Sequence, residues 1–242
     1  TRKIQNSDDF DWENYIDEYT DEGPFRTIYA QGLHETDWSL SENQIIIKNH
    51  AKPLYLTHRL IFETALDLAP ASIFEFGFWS ADHLCSLKLL QAQASIAGAD
   101  IAARMIEYAK QRNGDQIHDP EKPIALHLRD LAVPGSCIDF LCSAEFVFTQ
   151  QVLLHIHEGD CHRIFMNNMW DISRRYVLLV ENFRRHFFIK DIKTLFPGYT
   201  TYLVSNEYAV GLLLDKINAS RFPIIGSDHE LRQIKTIKWN SA

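Results

Sequence analysis

A glycine and two aspartates each follow a short apolar run in the middle of the chain. Gly77 comes directly after Ser72–Phe76, Asp100 ends the next run 23 residues later, and Asp130 follows a third run, Ile124–Leu128. A glycine permits a sharp turn beside a ligand, and a helix that begins after the turn offers free backbone N–H groups. A carboxylate about 20 residues further on can accept both hydroxyls of a ribose. The spacing therefore predicts a nucleoside site, with Asp130 on the side of the base.

The glycine pattern around this turn limits the kind of nucleoside. Trp79 stands where the second glycine of Gly-x-Gly-x-x-Gly would be, and no further glycine follows closely. Those glycines let the backbone approach a pyrophosphate, so their absence argues against NAD or FAD. A ligand that has ribose and adenine but no phosphate would tolerate the bulk of Trp79.

Three polar residues near the later apolar runs are candidates for contact with a second substrate. We predict His155 as a general base, because a histidine changes charge near neutral pH; the alternative is a structural histidine in the apolar stretch Val152–Ile156. Glu181 follows a fifth apolar run, and its two possible roles there are a contact with substrate and the capping of a helix. Arg184 belongs to a basic cluster that could bind a phosphate or carboxylate of an acceptor, or could be a solvated loop face.

Short apolar runs alternate with amphipathic stretches from about residue 71 onward, which is typical of βαβ units and a parallel sheet. Two β-rich runs near the end, Thr200–Ser205 and Tyr208–Asp215, are close enough to predict an antiparallel hairpin. We therefore predict an α/β domain over residues 71–242, with a mostly parallel sheet and a reversed last strand.

Residues 1–70 differ in sequence pattern from the rest of the chain, and we predict that they form an N-terminal helical extension. A segment that precedes the first strand can fold over the carboxyl ends of the strands, where ligands bind in such sheets. His34 and Trp38 would then contact substrate as part of a lid or recognition extension. The alternative is a helix pair that covers one sheet edge and has no such role.

Charge and composition exclude several classes of partner. The 242 residues carry a formal charge of −8, and eight acidic residues against two basic ones lie in the first 22. The first 22 residues are acidic and the rest of the chain is nearly neutral, which argues against binding of nucleic acid as the main function. No apolar run reaches the roughly 18–20 residues of a membrane helix, and no His and Cys set has zinc spacing, so we expect neither a membrane nor a metal. The first residues lack the basic stretch and the following apolar run of a secretory signal, so the expected location is the cytoplasm.

Four short motifs occur in an order that is known from one enzyme superfamily. They are Glu75-Phe-Gly77, Gly98-Ala-Asp100-Ile101, Arg129-Asp130-Leu131 and Phe146–Ile156. Over about residues 70–215 the chain resembles class I S-adenosylmethionine-dependent methyltransferases. The resemblance implies a Rossmann-like, doubly wound sheet of seven strands. Val152–Ile156, taken with Tyr176–Asn182, is similar to methylases of pseudaminic-acid and other surface-sugar biosynthesis.

The resemblance also implies roles for particular residues. S-adenosyl-L-methionine would be the cofactor, and a small-molecule acceptor would be the second substrate. The resemblance places Gln151 on the acceptor side, where our other candidates from the sequence are His155, Glu181, His34, Trp38 and Arg184. The cofactor-binding residues would be Glu75, Gly77, Phe78, Trp79, Asp100, Ile101, Asp130, Leu131, Thr149 and Gln150.

The function expected from these observations is methyl transfer to a hydroxyl of a sugar or a related polar metabolite. One alternative is a catalytically silent, methyltransferase-like scaffold subunit, since the glycine turn is reduced to Gly77. A second alternative is an RNA or protein methyltransferase that uses the basic region from Arg174 to Lys193. An NAD-dependent oxidoreductase is disfavoured by Trp79.

Overall fold

Helices and strands alternate along most of the chain. The structure, a computed structural model, describes residues 38–41, 44–47, 56–156, 159–181, 188–197, 199–205 and 210–217. The strands are β1 (Trp38–Ser41), β2 (Gln44–Ile47), β3 (Ser72–Phe76), β4 (Ser95–Asp100), β5 (Ala125–Leu128), β6 (Ala144–Gln150), β7 (Ser173–Val180), β8 (Thr200–Ser205) and β9 (Val210–Asp215). The α-helices are α1 (Leu56–Leu68), α2 (Asp82–Leu90), α3 (Ala103–Ile117), α4 (Cys161–Ile172) and α5 (Phe188–Leu195).

Strands β3 to β9 form one sheet, which has seven strands within the described residues, in the order β5-β4-β3-β6-β7-β9-β8. β3 pairs in parallel with both β4 and β6, whereas β9 is antiparallel to its neighbours β7 and β8. The prediction of a mostly parallel, Rossmann-like sheet with a reversed last strand is confirmed. The direction of strand addition changes between β3 and β6, and sheets of this kind bind ligands at the carboxyl ends of the strands beside such a point.

The central strand β3 is buried along its whole length, and its side chains divide between two apolar layers. Ile73 belongs to one layer, and Phe74 and Phe76 belong to the other, as the two-residue period of a strand requires. Parallel strands that are covered on both faces have continuous apolar runs in their sequence. This burial therefore explains why the run Ser72–Phe76 predicts a strand.

Helices cover both faces of the sheet. Phe62 of α1, Leu84 of α2 and Ala109 of α3 are fully buried in the layer that contains Ile73. Met169 of α4 and Ile192 of α5 are buried in the opposite layer. The result is a three-layer α/β arrangement whose loops at the carboxyl ends of the strands stay open for a ligand.

The described part of residues 1–70 consists of a β-hairpin and a helix. β1 and β2 pair antiparallel, with Trp38 opposite Ile47. Helix α1 packs into the sheet layer through Ile61 and Phe62, and neither residue is accessible to solvent. The lid role of residues 1–70 stays a prediction.

Two predicted elements differ in detail from those observed. The helix predicted over Ala102–Arg112 runs on to Ile117, past a non-helical residue, Asn113. The apolar stretch Val152–Ile156 forms only a short 3-10 turn, Leu153–His155. The predicted hairpin is present as the antiparallel pair β8 and β9.

Within the part of the chain that the structure describes, the helices are too short or too polar to cross a bilayer.

Gly98, in the middle of β4, tests how tightly this core is packed. A Cβ atom there would lie 2.8 Å from Leu84 Cδ1 and 3.2 Å from the backbone oxygen of Glu75. We expect Gly98→Ala to lower the free energy of unfolding by about 1–3 kcal/mol, because the core must be forced apart. Denaturant unfolding measures the change.

The control for this prediction is Gly114→Ala on α3, where an added Cβ meets no atom within 4 Å. That substitution should raise the free energy of unfolding by up to about 1 kcal/mol. Equal effects of the two substitutions would contradict the packing argument.

Candidate functional site

A cavity opens at the carboxyl ends of β3, β4 and β6, beside the change in strand direction. Ten of the sequence-predicted site residues line it. They are Gly77, Phe78, Trp79, Asp100, Ile101, Asp130, Leu131, Gln150, Gln151 and His155. The structure therefore brings together side chains from four separate segments of the chain.

The turn after β3 forms one wall of this cavity. Gly77 has a φ of 74°, its backbone N–H donates to Ala99 O at 2.8 Å, and a Cβ there would lie 2.5 Å from Val152 Cγ2. Glycine is therefore required at this position for both backbone conformation and space. Trp79 and Ala81 also have positive φ values, 51° and 60°, which are uncommon for residues with side chains.

Asp100 is buried at the end of β4 and holds the turn in place. Its carboxylate accepts hydrogen bonds from the backbone N–H of Trp79 at 3.1 Å and of Ala102 at 3.0 Å. Burial raises the pKa of Asp100 to about 6, against the lowering effect of the backbone N–H groups of Ala102, Trp79 and Ile101 and with a further rise from the Glu75 carboxyl. A carboxylate has about four acceptor positions, so capacity remains for a ligand that donates hydrogen bonds.

Asp130 lies at the end of the neighbouring strand β5 and is half-buried. Its Oδ1 accepts a hydrogen bond from the Ala132 backbone N–H at 3.0 Å, and burial raises the pKa of the carboxyl. Leu131, which follows it, is buried and adds an apolar surface to the same end of the cavity. Two carboxyls and an apolar surface thus lie along the ends of adjacent strands.

Glu75 lies in the interior behind the turn and does not line the cavity. Its Oε1 and His83 Nδ1 form a hydrogen bond of 2.6 Å. Burial, with repulsion from Asp82, raises the pKa of Glu75 well above its usual range. Burial lowers the pKa of His83 to about 4, although Asp82 opposes the change. The hydrogen bond between these two buried side chains ties β3 to α2.

Thr149 and Glu181 are likewise buried outside the cavity lining. The Thr149 hydroxyl donates to Phe76 O at 3.0 Å. Glu181 Oε1 accepts from the backbone N–H of Val152 at 3.0 Å and of Leu153 at 3.2 Å. These contacts fix the start of the 3-10 turn that carries His155, and the predicted substrate contact of Glu181 stays a prediction.

Three other predicted residues cannot be located along the cavity. His34 and Arg184 lie outside the described residues, and the structure describes Trp38 only as part of β1. Their predicted contacts with substrate stay predictions.

Several cavity residues were not predicted from the sequence. His58 comes from α1 and Phe165 from α4, and nothing in their local sequence links them to the turn after β3. Ser80, Asp82 and His83 directly follow that turn, so their position at the start of α2 was an available signal. The His58 and His83 rings contact each other, with centroids 4.1 Å apart.

No protein-family model and no curated protein sequence matches the chain. Among solved structures, it is similar to an O-methyltransferase family protein from Burkholderia thailandensis, with a TM-score of 0.55 and 10% identity over 67% of this chain and 56% of that chain. It is also similar to the methyltransferase domain of bacterial CtHen1, with a TM-score of 0.52 and 15% identity over 66% of this chain and 98% of that one. The chain has the methyltransferase fold. The resemblance to class I methyltransferases seen in the sequence is confirmed for that fold.

In this methyltransferase fold, the titration of Glu181 provides a test of the contacts that fix the segment carrying His155. Burial raises the pKa of its carboxyl to about 8 from an ordinary value of 4.5, although N–H groups of Leu153, Val152 and Leu154 and the Thr149 hydroxyl lower it. The folded protein keeps a proton that the unfolded chain releases between these pH values. The contribution of Glu181 to stability therefore falls as pH rises from about 4.5 to about 8.

Glu181→Gln keeps a carbonyl acceptor for the two N–H groups but cannot ionise. We expect its melting temperature, relative to the unsubstituted protein, to rise between pH 5 and pH 9. Glu107→Gln, on an exposed position of α3, is the control and should show no such trend. A difference that is the same at both pH values would show that Glu181 does not titrate in this range.

Proposed function

We propose that this chain is an S-adenosylmethionine-dependent methyltransferase that acts on a small polar acceptor. The observation that carries the proposal is the pair of carboxyls, Asp100 and Asp130, at the ends of adjacent strands beside the Gly77 turn. When bound, the cofactor supplies an activated methyl group on a sulfonium sulfur. The protein contributes binding, orientation and the removal of a proton from the acceptor.

The nucleoside part of the cofactor would be held by Asp100 and Asp130. Asp100 would accept the two ribose hydroxyls, and Asp130 would accept a hydrogen bond from the adenine amino group. Ile101 and Leu131 also line the cavity and supply apolar surface for the base. Because the pKa of Asp100 is about 6, its carboxylate form dominates at pH 7, and the affinity should fall as pH falls through 6.

The residues of the turn after β3 favour a nucleoside ligand that has no pyrophosphate. Trp79 is partly buried and packs with Ile101, Ala102 and Met105 on the cavity wall. Its indole occupies space that a glycine would leave open to phosphate groups. This contact favours S-adenosylmethionine over NAD as the ligand.

The acceptor side would be formed by the segment that follows β6. Gln151 and His155 line the cavity there, next to the cofactor-side residue Gln150 at the end of β6, whose Nε2 also donates to the Thr57 hydroxyl of α1 at 2.7 Å. His155 would take the proton from an acceptor hydroxyl as the methyl group is transferred. His83 is unsuited to this role, because its pKa is about 4 and its Nε2 atom is shielded from solvent. The preference for a sugar hydroxyl rests on the sequence resemblance.

Calorimetric titration with S-adenosylmethionine, S-adenosylhomocysteine and NAD tests the cofactor assignment. We expect the first two to bind and NAD not to bind. Asp100→Asn should weaken S-adenosylhomocysteine binding by about 10- to 100-fold, the loss expected for a hydrogen bond to a charged group. Asp115→Asn, at an exposed position, is the control.

The possible outcomes separate the alternatives. Binding of NAD in place of S-adenosylmethionine would overturn the proposal in favour of an oxidoreductase. Absence of binding by all three ligands would favour the scaffold subunit. Normal affinity of Asp100→Asn would show that the ribose site is elsewhere.

His155 is tested by turnover with a panel of sugar acceptors, measured as release of S-adenosylhomocysteine. We expect His155→Ala to keep its affinity for S-adenosylmethionine and to lose about 10²-fold or more in kcat, the usual contribution of a general base. Unchanged kcat would remove His155 from the mechanism. If the whole panel is inactive while the cofactor binds, the acceptor belongs to another chemical class.

A further inference from the structure

Two asparagine side chains, one on α3 and one on α4, donate hydrogen bonds to two loops that line the cavity, the turn after β3 and the loop after β5. Asn113 Nδ2 lies 3.0 Å from both Ser80 O and Asp82 Oδ1, and it donates to both. Asn168 Nδ2 donates to Leu131 O at 2.8 Å and to Val133 O at 3.0 Å. A side-chain amide has two N–H donors, so each asparagine can serve both of its acceptors at once.

The backbone of α3 departs from helical geometry at the residue that reaches the turn. Asn113 has φ −123° and ψ 26°, between two helical stretches. Asparagine is a poor helix former, and its backbone angles mark a kink at this point. The local sequence therefore disfavours a straight helix at the position where an amide reaches Ser80.

The turn that Asn113 holds needs such support. It contains two residues with side chains at positive φ, Trp79 and Ala81, which persist only where surrounding contacts fix them. Asp100 holds the turn from the side of β4, and Asn113 holds it from the side of α3. Arg112 Nε, at 3.0 Å from Asp82 Oδ1, adds a charged contact to the same group.

Asn168 makes the corresponding contacts with the loop after β5. Its side chain is buried, and its two acceptors lie on either side of Ala132 in the loop that begins at Asp130. Phe165, one helical turn earlier on α4, lines the cavity itself. The helix thus supplies both a wall of the cavity and the hydrogen bonds that fix the loop beside it.

We propose that Asn113 and Asn168 are positioning residues for ligand binding, and that each fixes one of the two loops that line the cavity. Neither side chain lines the cavity, so each acts through the backbone that it holds. The inference rests on the proposed function for the identity of the ligand. The fixing of the two loops can be measured without any ligand.

Hydrogen exchange of the ligand-free protein is the first test. Asn113→Ala should speed exchange of the backbone amides of residues 79–82, and Asn168→Ala should speed exchange of residues 131–134, while β3 and β6 keep their protection. Gln111→Ala and Asn167→Ala are matched controls, because each removes an exposed amide from the same helix. Unchanged exchange in both loops would overturn the proposal.

Affinity for S-adenosylhomocysteine and for adenosine is the second test. Asn168→Ala should weaken both ligands by a similar factor of about ten, because it acts at the nucleoside end. Asn113→Ala should weaken S-adenosylhomocysteine more than adenosine, because Gly77, Phe78 and Trp79 of this turn would line the methionine half of the cofactor, as the resemblance to class I methyltransferases implies. Wild-type affinities in both variants would overturn the positioning role.

Two further variants keep the test decisive if the alanine variants fold poorly. Asn113→Leu and Asn168→Leu retain most of the side-chain volume but remove both donors, and melting temperature reports whether they fold. If the unsubstituted protein binds neither ligand, the proposed function fails. Faster exchange confined to the two loops would still support the role of the asparagines in fixing them.

Discussion

The cavity depends on the parallel hydrogen bonding of β3 to a strand on each side. β4 and β6 are distant in sequence, but pairing with β3 brings their carboxyl ends to one edge of the sheet. The same pairing forces the chain after β3 to leave the sheet in a tight turn. Gly77 makes that turn possible, since any side chain there would meet Val152 from the segment after β6. The two loops therefore pack directly against each other, and both line the cavity.

Burial explains the unusual chemistry around the cavity. Glu75, Asp100 and Glu181 all have pKa values above their ordinary range, and burial is the largest cause for each. The protein offsets part of this cost with backbone N–H groups for Asp100 and Glu181, and with an imidazole for Glu75. Only Asp100 of these three lines the cavity. The other two fix the turn and the segment that carries His155.

The sequence allowed the fold and the nucleoside half of the site to be predicted, because their signals are local. Gly77, Asp100 and Asp130 each directly follow or end an apolar strand, and strand ends converge in a parallel sheet. Contributions from helices were not predictable in this way. His58 and Asn168 reach the site through the packing of whole helices, which no short spacing encodes. The interior position of Glu75 was predictable in principle, since it alternates with Phe74 and Phe76 on a buried strand.

The edge of the sheet nearest Asp130 has a consequence for behaviour at high concentration. Among the described residues, β5 is the outermost strand on that side, and it is only four residues long. Lys122 and Pro123 precede it, and Arg129 with Asp130 follow it. An unpaired strand edge is a template for association with another chain, and short length, proline and flanking charge all weaken that template. The strand that carries part of the candidate nucleoside site is thus poorly suited to adding a foreign strand, which limits aggregation through this edge.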